Sequence, residues 1–379
     1  MQLFAEMLKE GYEARGHQVL MWEPEPRLHR HFAGGRLAKW AGYVDQYLLF
    51  PRRVRQLLVR QSADTLFVLC DQALGPWAPL VKHRPHVVHC HDLLALRSAL
   101  GELEGYRTSF TGRIYQRYIR RGFEQARHFI SISEATKSDL QRCSAVRPLT
   151  SARVYNGLNY PYAPLPPEQA QQILAAAGLP VEARGMLLNL GSNSWYKNRL
   201  GLLHLYARYA ASVADPLPLW CVGPPPNAAM QAALEQVPAQ GKVLFFQGLD
   251  NLTLQAAYSH ARAFLFPSNA EGFGWPLLEA QACGCPVLTT DAAPMNEVAG
   301  PAARYVAPLG ARDDLAAWAG AAARTLTELL ALEPAQRTAL GEQGRAWAAG
   351  FGADAAIDGY LEVYRSVLAA PASVAGGAA

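Results

Sequence analysis

Residues 263–290 read AFLFPSNAEGFGWPLLEAQACGCPVLTT, and this stretch decides the fold. An apolar run stops at Pro267, which has no N–H to give to a strand ladder. A loop with Glu271, Gly272, Phe273 and Gly274 follows. A helix is expected from about Trp275, with Pro276 in its first turn, where a missing N–H costs nothing. Gly284 suits the position just past the helix end, and Pro286 opens a second apolar run. Strand, loop, helix, strand is one βαβ unit, and a parallel sheet follows from it.

The same alternation extends over most of the chain. Candidate strands are Gln18–Trp22, Thr65–Leu69, His86–Cys90, His128–Ile132, Met186–Leu190, Leu219–Val222, Lys242–Gln247, Ala263–Phe266 and Pro286–Thr290. Amphipathic stretches of helical length lie between many of them. Residues 2–15 read as such a helix, with Leu3, Phe4, Met7 and Leu8 on its apolar side. The Pro- and Gly-rich stretch 157–167 suits a linker, with a new helix from about Glu168. We expect an α/β protein of two Rossmann-like domains, 1–160 and 161–354, with a flexible Gly/Ala-rich tail over 371–379. Ligands in such sheets bind at the carboxyl ends of the strands.

Composition narrows the class. The 379 residues are 50% hydrophobic and 17% charged, which is globular and long enough for two domains. No apolar run reaches the roughly 18 to 20 residues of a membrane helix, and no signal-peptide pattern opens the chain. A cytoplasmic protein, soluble or peripheral on the inner membrane face, is expected. Six cysteines show no metal-binding spacing and read as reduced thiols. Charge is uneven: residues 1–160 hold 23 Lys and Arg against 14 Asp and Glu, a balance of +9, and the remainder balances at −5. A basic front half suits an anionic partner or a plain solvated surface. The basic segment Phe50–Arg60 could lie on an anionic membrane or pack its apolar side on the domain core. No helix-turn-helix, zinc or RNA-stacking signature supports a nucleic-acid partner.

The loop at 271–274 has the makings of an anion site. Its glycines let backbone N–H groups approach a ligand, and the following helix N-terminus adds donors and a positive dipole end. A diphosphate suits it; glycines that only make a tight strand-to-helix turn are the alternative. Glu271 could accept from sugar hydroxyls, and Glu279 could reach back toward the helix start to hold a ribose.

EGFGWPLLE at 271–279 resembles the Glu-x7-Glu signature of retaining glycosyltransferases of family 4, which have the GT-B fold of two domains around a cleft. Residues 246–308 resemble that family's C-terminal domain throughout. LNLGSNSWYKN at 188–198 is similar to its loop with a phosphate-binding lysine, and VYNGLN at 154–159 to its domain-closing Asn-Gly motif. ISISEATKSDL at 130–140 and HCHD at 89–92 fit its N-terminal domain. The resemblance implies that Glu271 binds donor-sugar hydroxyls and that Gly272, Phe273 and Gly274 face the sugar and diphosphate. Leu278 lies in the same donor-binding turn, and Glu279 holds the ribose. Lys197, with Gly191 and Ser192 before it, takes the leaving diphosphate, and Gly248 and Leu249 sit near the base. His91 matches a histidine facing the donor sugar, with a core or capping histidine as the alternative. A last helix at about 355–370 is expected to pack back on the first domain.

Two departures stand out. The family often has an Arg after the glycine matching Gly191; here it is Ser192, so either Arg199 substitutes or Lys197 and the helix dipole suffice. The family also begins with a strand and a Gly-rich loop before the helix resembling residues 2–15, so a first strand is expected upstream of Met1. The expected reaction moves a sugar from a nucleoside diphosphate to a hydroxyl of a glycan or lipid-linked acceptor, for a surface polysaccharide. No cofactor is expected, and with no Asp-x-Asp motif in the chain no metal either. The competing reading is a non-catalytic nucleotide-sugar-binding or scaffold protein.

Overall fold

The structure, a computed structural model, describes residues 2–32, 35, 37–103 and 106–370. They divide into two compact units. The first runs to Glu102, resumes over Thr108–Tyr155 and takes the chain from Asp354 on. The second holds Leu103–Arg107 and Asn156–Ala353.

The first unit contains a parallel sheet of β1 (Phe67–Leu69), β2 (His86–Cys90), β3 (His128–Ser131) and β4 (Thr150–Arg153), paired in that order. β2 is buried at every position, as a parallel strand covered on both faces must be. Helix Gln2–Glu13 buries Phe4, Leu8 and Tyr12, spaced one turn apart, against Ile357, Tyr360 and Tyr364 of helix Ala353–Ala369. The Tyr12 and Tyr364 hydroxyls are 2.9 Å apart. Gly11 permits the close approach: a Cβ there would lie 2.7 Å from Ile357 Cδ1.

Gln18–Trp22 is not a strand. It finds no ladder partner among the described residues; Leu20 and Met21 are exposed, and Trp22 rests its ring 5.6 Å from that of Phe67. The sequence pattern also missed β4, whose residues TSAR are polar and partly exposed.

The second unit has β5 (Leu187–Leu190), β6 (Leu219–Val222), β7 (Val243–Phe246), β8 (Ala263–Phe266), β9 (Val287–Thr290) and β10 (Ala303–Val306). All are parallel, in the order β10-β9-β8-β5-β6-β7. β10 escaped the sequence reading because exposed Arg304 and partly exposed Tyr305 interrupt its apolar run. The chain starts in the middle at β5, steps out to β7, returns to β8 beside β5, and steps out the other way. The strand order therefore reverses between β5 and β8, the place where such sheets open a crevice at the strands' carboxyl ends.

The Pro-rich stretch after Asn156 is no loose linker. Leu158 N–H donates to Phe351 O at 3.0 Å, Gln255 donates to Ala163 O at 2.8 Å, and Leu165 N–H donates to Ser259 Oγ at 3.1 Å. The division thus falls at Tyr155 and Asn156, earlier than the boundary the composition suggests. Gly157 lets the stretch lie against Ala353: a Cβ there would meet the Ala353 backbone at 2.4 Å. The tail 371–379 lies outside the described residues.

Candidate functional site

Two loops leave the reversal point. One follows β5, from Gly191 to Asn198; the other follows β8, from Pro267 to Gly274. Three hydrogen bonds stitch them together. Asn269 N–H donates to Tyr196 O at 2.7 Å, Asn198 Nδ2 to Pro267 O at 3.1 Å, and Lys197 Nζ to Glu271 Oε1 at 2.7 Å.

Each loop has a local reason for its shape. Ser192 Oγ donates to Ser194 Oγ at 2.9 Å and accepts from Ser194 N–H at 3.3 Å, turning the chain after Gly191. A 3-10 turn, Trp195–Lys197, follows, and Asn198 ends it in the left-handed region at φ 49°. Asn tolerates that conformation better than most side chains. Gly274, at φ 103°, turns the second loop into helix Trp275–Ala282, with Pro276 in the first turn as the sequence reading expects. Gly284, at φ 73°, lies just beyond its end.

Lys197 and Glu271 form a charge-assisted pair with side-chain exposures of 17% and 9%. The ammonium also lies 5.1 Å from the centre of the Phe266 ring and 5.5 Å from that of Tyr196. A cation and a carboxylate are thereby fixed beside a helix N-terminus. Phe273 is buried next to Trp275, whose indole N–H donates to Gly157 O at 3.0 Å. Leu278 is fully buried, so only its backbone could meet a ligand.

Glu279 is held inside the protein at 7% exposure. Its Oε2 accepts a 2.9 Å hydrogen bond from the hydroxyl of fully buried Tyr258. Burial raises the carboxyl to about 7, and the Tyr258 hydrogen bond works against that rise. Tyr162 stands edge-on to Tyr258, ring centres 5.9 Å apart, and donates to Asn251 Oδ1 at 3.3 Å. These contacts join Glu279 to the loop after β7, where Gly248 takes φ 69° and Leu249 is half-buried. Sequence reasoning missed both tyrosines. Helical spacing marks Tyr258 as buried, but nothing local says that its hydroxyl meets a carboxylate on the next helix.

Arg199 does not join the pair. Its buried guanidinium bonds Asn193 Oδ1 and donates to Pro224 O at 2.9 Å, lying over the Phe245 ring. It braces the loop after β5 from behind, so Lys197 is the cation that meets Glu271.

His91 belongs to the first unit. Its Nε2 is 2.9 Å from Cys70 O, and its backbone N–H donates to Gln72 Oε1 at 3.0 Å. A ring nitrogen facing a carbonyl carries the proton, which leaves Nδ1 as the acceptor. Phe4 packs edge-on at 4.4 Å. Burial lowers the imidazole to about 4, so it is neutral at ordinary pH. His89 is wholly interior, its Nε2 2.6 Å from the Tyr364 hydroxyl.

No helix among the described residues is long and apolar enough to cross a membrane.

Comparison with known proteins gives two family matches. Residues 172–347 match the model described as glycosyl transferases group 1, and residues 1–160 match that of glycosyltransferase family 4. Among curated relatives, O-antigen chain mannosyltransferase B of Escherichia coli is 25% identical over 201 residues, 52% of this chain and 51% of that protein. O-antigen chain mannosyltransferase RfbU of Salmonella typhimurium is 26% identical over 219 residues, 57% of this chain and 56% of that protein. The chain thus spans about half the length of these relatives. Among solved structures, sucrose-phosphate synthase of Thermosynechococcus elongatus superposes with a TM-score of 0.70 at 20% identity, covering 97% of this chain and 94% of that one. WaaG, a glycosyltransferase involved in lipopolysaccharide biosynthesis, superposes with a TM-score of 0.67 at 18% identity, covering 96% and 95%. The fold is GT-B, with a parallel sheet in each of two units.

Proposed function

The chain belongs to the group 1, family 4 glycosyltransferases, and on that footing we propose that it moves a sugar from a nucleoside diphosphate to an acceptor hydroxyl with retained configuration. The acceptor is a growing glycan or a lipid-linked glycan of a cell-surface polysaccharide. The observation that carries the reading is the Lys197–Glu271 pair, set at the strand-order reversal and before a helix N-terminus.

The residues divide the work. Glu271 accepts from hydroxyls of the donor sugar. Gly191, Ser192, Gly272, Phe273 and Gly274 bring backbone to the sugar and diphosphate, with Leu278 contributing through its backbone. Gly248 and Leu249 border the base, and Glu279 accepts from the ribose hydroxyls. Lys197 stabilises the negative charge that grows on the diphosphate as it departs. His91, neutral and with Nδ1 as acceptor, takes a sugar hydroxyl.

The reaction is a front-face substitution. The bond from the anomeric carbon to the β-phosphate oxygen breaks. A bond from that carbon to the acceptor oxygen forms on the same face, and the acceptor proton passes to the departing phosphate. Lys197 supplies the positive charge, so the reaction proceeds without a metal. Two curated relatives carry names as O-antigen mannosyltransferases, which makes mannose the first sugar to test.

The test is sugar release and transfer from a panel of nucleotide sugars, with thermal shift by UDP, GDP, ADP and TDP alongside. A nucleotide at about 100 times its Kd stabilises by roughly 2.7 kcal/mol. Turnover that disappears in Lys197→Ala supports the reading. Nucleotide binding with no turnover toward any acceptor would leave a binding or scaffold protein in its place.

A further inference from the structure

The second unit has an open cavity of about 910 Å³ that the proposed reaction does not use. One wall is the Pro-rich stretch 158–164; the other is the end of helix Pro334–Ala348 with the 3-10 turn Ala349–Phe351. Small residues bring that helix close and still leave space. A Cβ on Gly341 would lie 2.7 Å from Gly284 O, and one on Gly344 would lie 3.3 Å from Gln281 Cγ. Ala282, Ala346 and Ala349 then line the hollow with nothing longer than a methyl group. On the other wall Tyr162 N–H donates to Tyr160 O at 2.8 Å, and the two rings stand edge-on with centres 4.9 Å apart.

Two charges sit in this hollow. Glu342 and Arg345, one turn apart on the helix, both line it and are both exposed. Neither side chain has an ion pair or a hydrogen bond among the described residues. A Cβ at Gly284 would lie 3.6 Å from Arg345 Cδ, so packing places the arginine stem and leaves its guanidinium without a partner. The hollow also touches two residues that meet the donor loops. Tyr162 stands edge-on to Tyr258, the tyrosine that donates to Glu279. Phe351 stands edge-on to Phe273, ring centres 6.2 Å apart.

Aromatic rings on one wall and methyl groups on the other suit a flat ring, and the volume is that of a small-molecule site. An unpaired guanidinium suits an anionic group, and an unpaired carboxylate suits an N–H or O–H donor. We propose that this hollow is an effector site for a flat, ring-containing molecule that carries one anionic group and one hydrogen-bond donor. The rings lie between Tyr160 and the alanines, the anion meets Arg345, and the donor meets Glu342. Occupancy holds Tyr162 and Phe351 in place. Through Tyr258 and Phe273 it tightens the nucleotide site, a coupling that rests on the donor reading.

The probe is anilinonaphthalene sulfonate, which has fused rings, a sulfonate and an N–H. Fluorescence titration of the full chain should show saturable binding, roughly tenfold or more tighter than for phenylnaphthylamine, which lacks the sulfonate. Arg345→Gln should weaken the probe to a similar degree, and Ala346→Trp, which fills the hollow, should remove its tightest site. Gln343→Glu changes net charge by the same amount as Arg345→Gln, outside the hollow, and should leave binding unchanged. All three side chains are exposed, and an unchanged Tm checks the fold. The nucleoside diphosphate chosen by thermal shift should tighten probe binding about fivefold or more, and the probe should tighten the nucleotide by the same factor. No probe binding, or binding that survives both Arg345→Gln and Ala346→Trp, overturns the site. Binding at the hollow with no mutual effect on the nucleotide overturns the effector role. A chain that binds the probe there and no nucleotide keeps the site and loses the donor reading. One that binds nucleotide alone loses the site and keeps that reading.

Discussion

The Tyr258 hydroxyl donates a 2.9 Å hydrogen bond to Oε2 of Glu279, and both groups are buried. Glu279 thus sits in an environment that favours its neutral form while a single hydroxyl steadies the charged one. The carboxyl is raised above its ordinary value of 4.5 to about 7. The folded protein holds a proton there that the unfolded chain gives up.

Stability should therefore be greatest below about pH 4.5 for this group and be lost as pH rises through about 7. The Tm of Glu279→Gln should be flatter than wild type across that window. Equal slopes in the two proteins would show that Glu279 does not titrate there. Ribose hydroxyls donate best to a carboxylate, so nucleotide affinity should rise over the same window and lose that rise in the variant.

Tyr258→Phe removes the hydroxyl and keeps the ring. It should cost about 1 kcal/mol of stability and weaken nucleotide binding severalfold. Isothermal titration against the nucleotide chosen by thermal shift checks this. Unchanged affinity would make Tyr258 a packing residue only.

On the proposed role, in which its charge acts most as the diphosphate leaves, Lys197→Ala should lower kcat by about 10² to 10³. Lys197→Arg should recover only part, since a planar fork does not replace a compact ammonium. Glu271→Gln should behave differently: sugar transfer falls, while binding of the free nucleoside diphosphate holds or tightens. Steady-state kinetics with parallel titrations separate the two.

Gly223→Ala should be severely destabilising. Gly223 takes φ 140°, and a Cβ there would lie 2.0 Å from Gly191 O. Both backbones flank the loop that carries Lys197. A Tm lowered by several degrees, or insoluble protein, is expected. A wild-type melt would mean that the loop after β5 relaxes freely.

His91→Asn should lower turnover and leave the Kd for nucleoside diphosphate alone unchanged, if the ring meets only the sugar. Because burial depresses the imidazole to about 4, this residue should also subtract stability as pH falls from about 6.5 toward 4. Equal acid sensitivity in the variant would remove His91 from that account.

Much of this was legible in the sequence, for reasons that differ by element. Ala263–Phe266 and Leu219–Val222 are buried on both faces, so their apolar runs mark their limits. Pro276 and Gly284 bracket helix Trp275–Ala282 because each suits one end of a helix and not the other. Gln18–Trp22 misled because strand composition does not supply a partner to pair with. Within the site, Lys197 and Glu271 could each be singled out, but their meeting at 2.7 Å follows from β5 lying next to β8, which no local pattern encodes. The Tyr258 contact was hidden for the same reason, and so were the contacts of buried Arg199 with Asn193 and Pro224.

The last helix has a consequence for how the protein is made. Helix Ala353–Ala369 supplies Ile357, Tyr360 and Tyr364 to a core that also contains Phe4 and Val87. A ribosome delivers those partners some hundreds of residues apart. The six-stranded sheet is complete once Val306 has emerged, whereas the four-stranded one must wait with one face bare. During translation the first unit to begin is the last to close, and apolar side chains on Gln2–Glu13 are open to chaperones until the end.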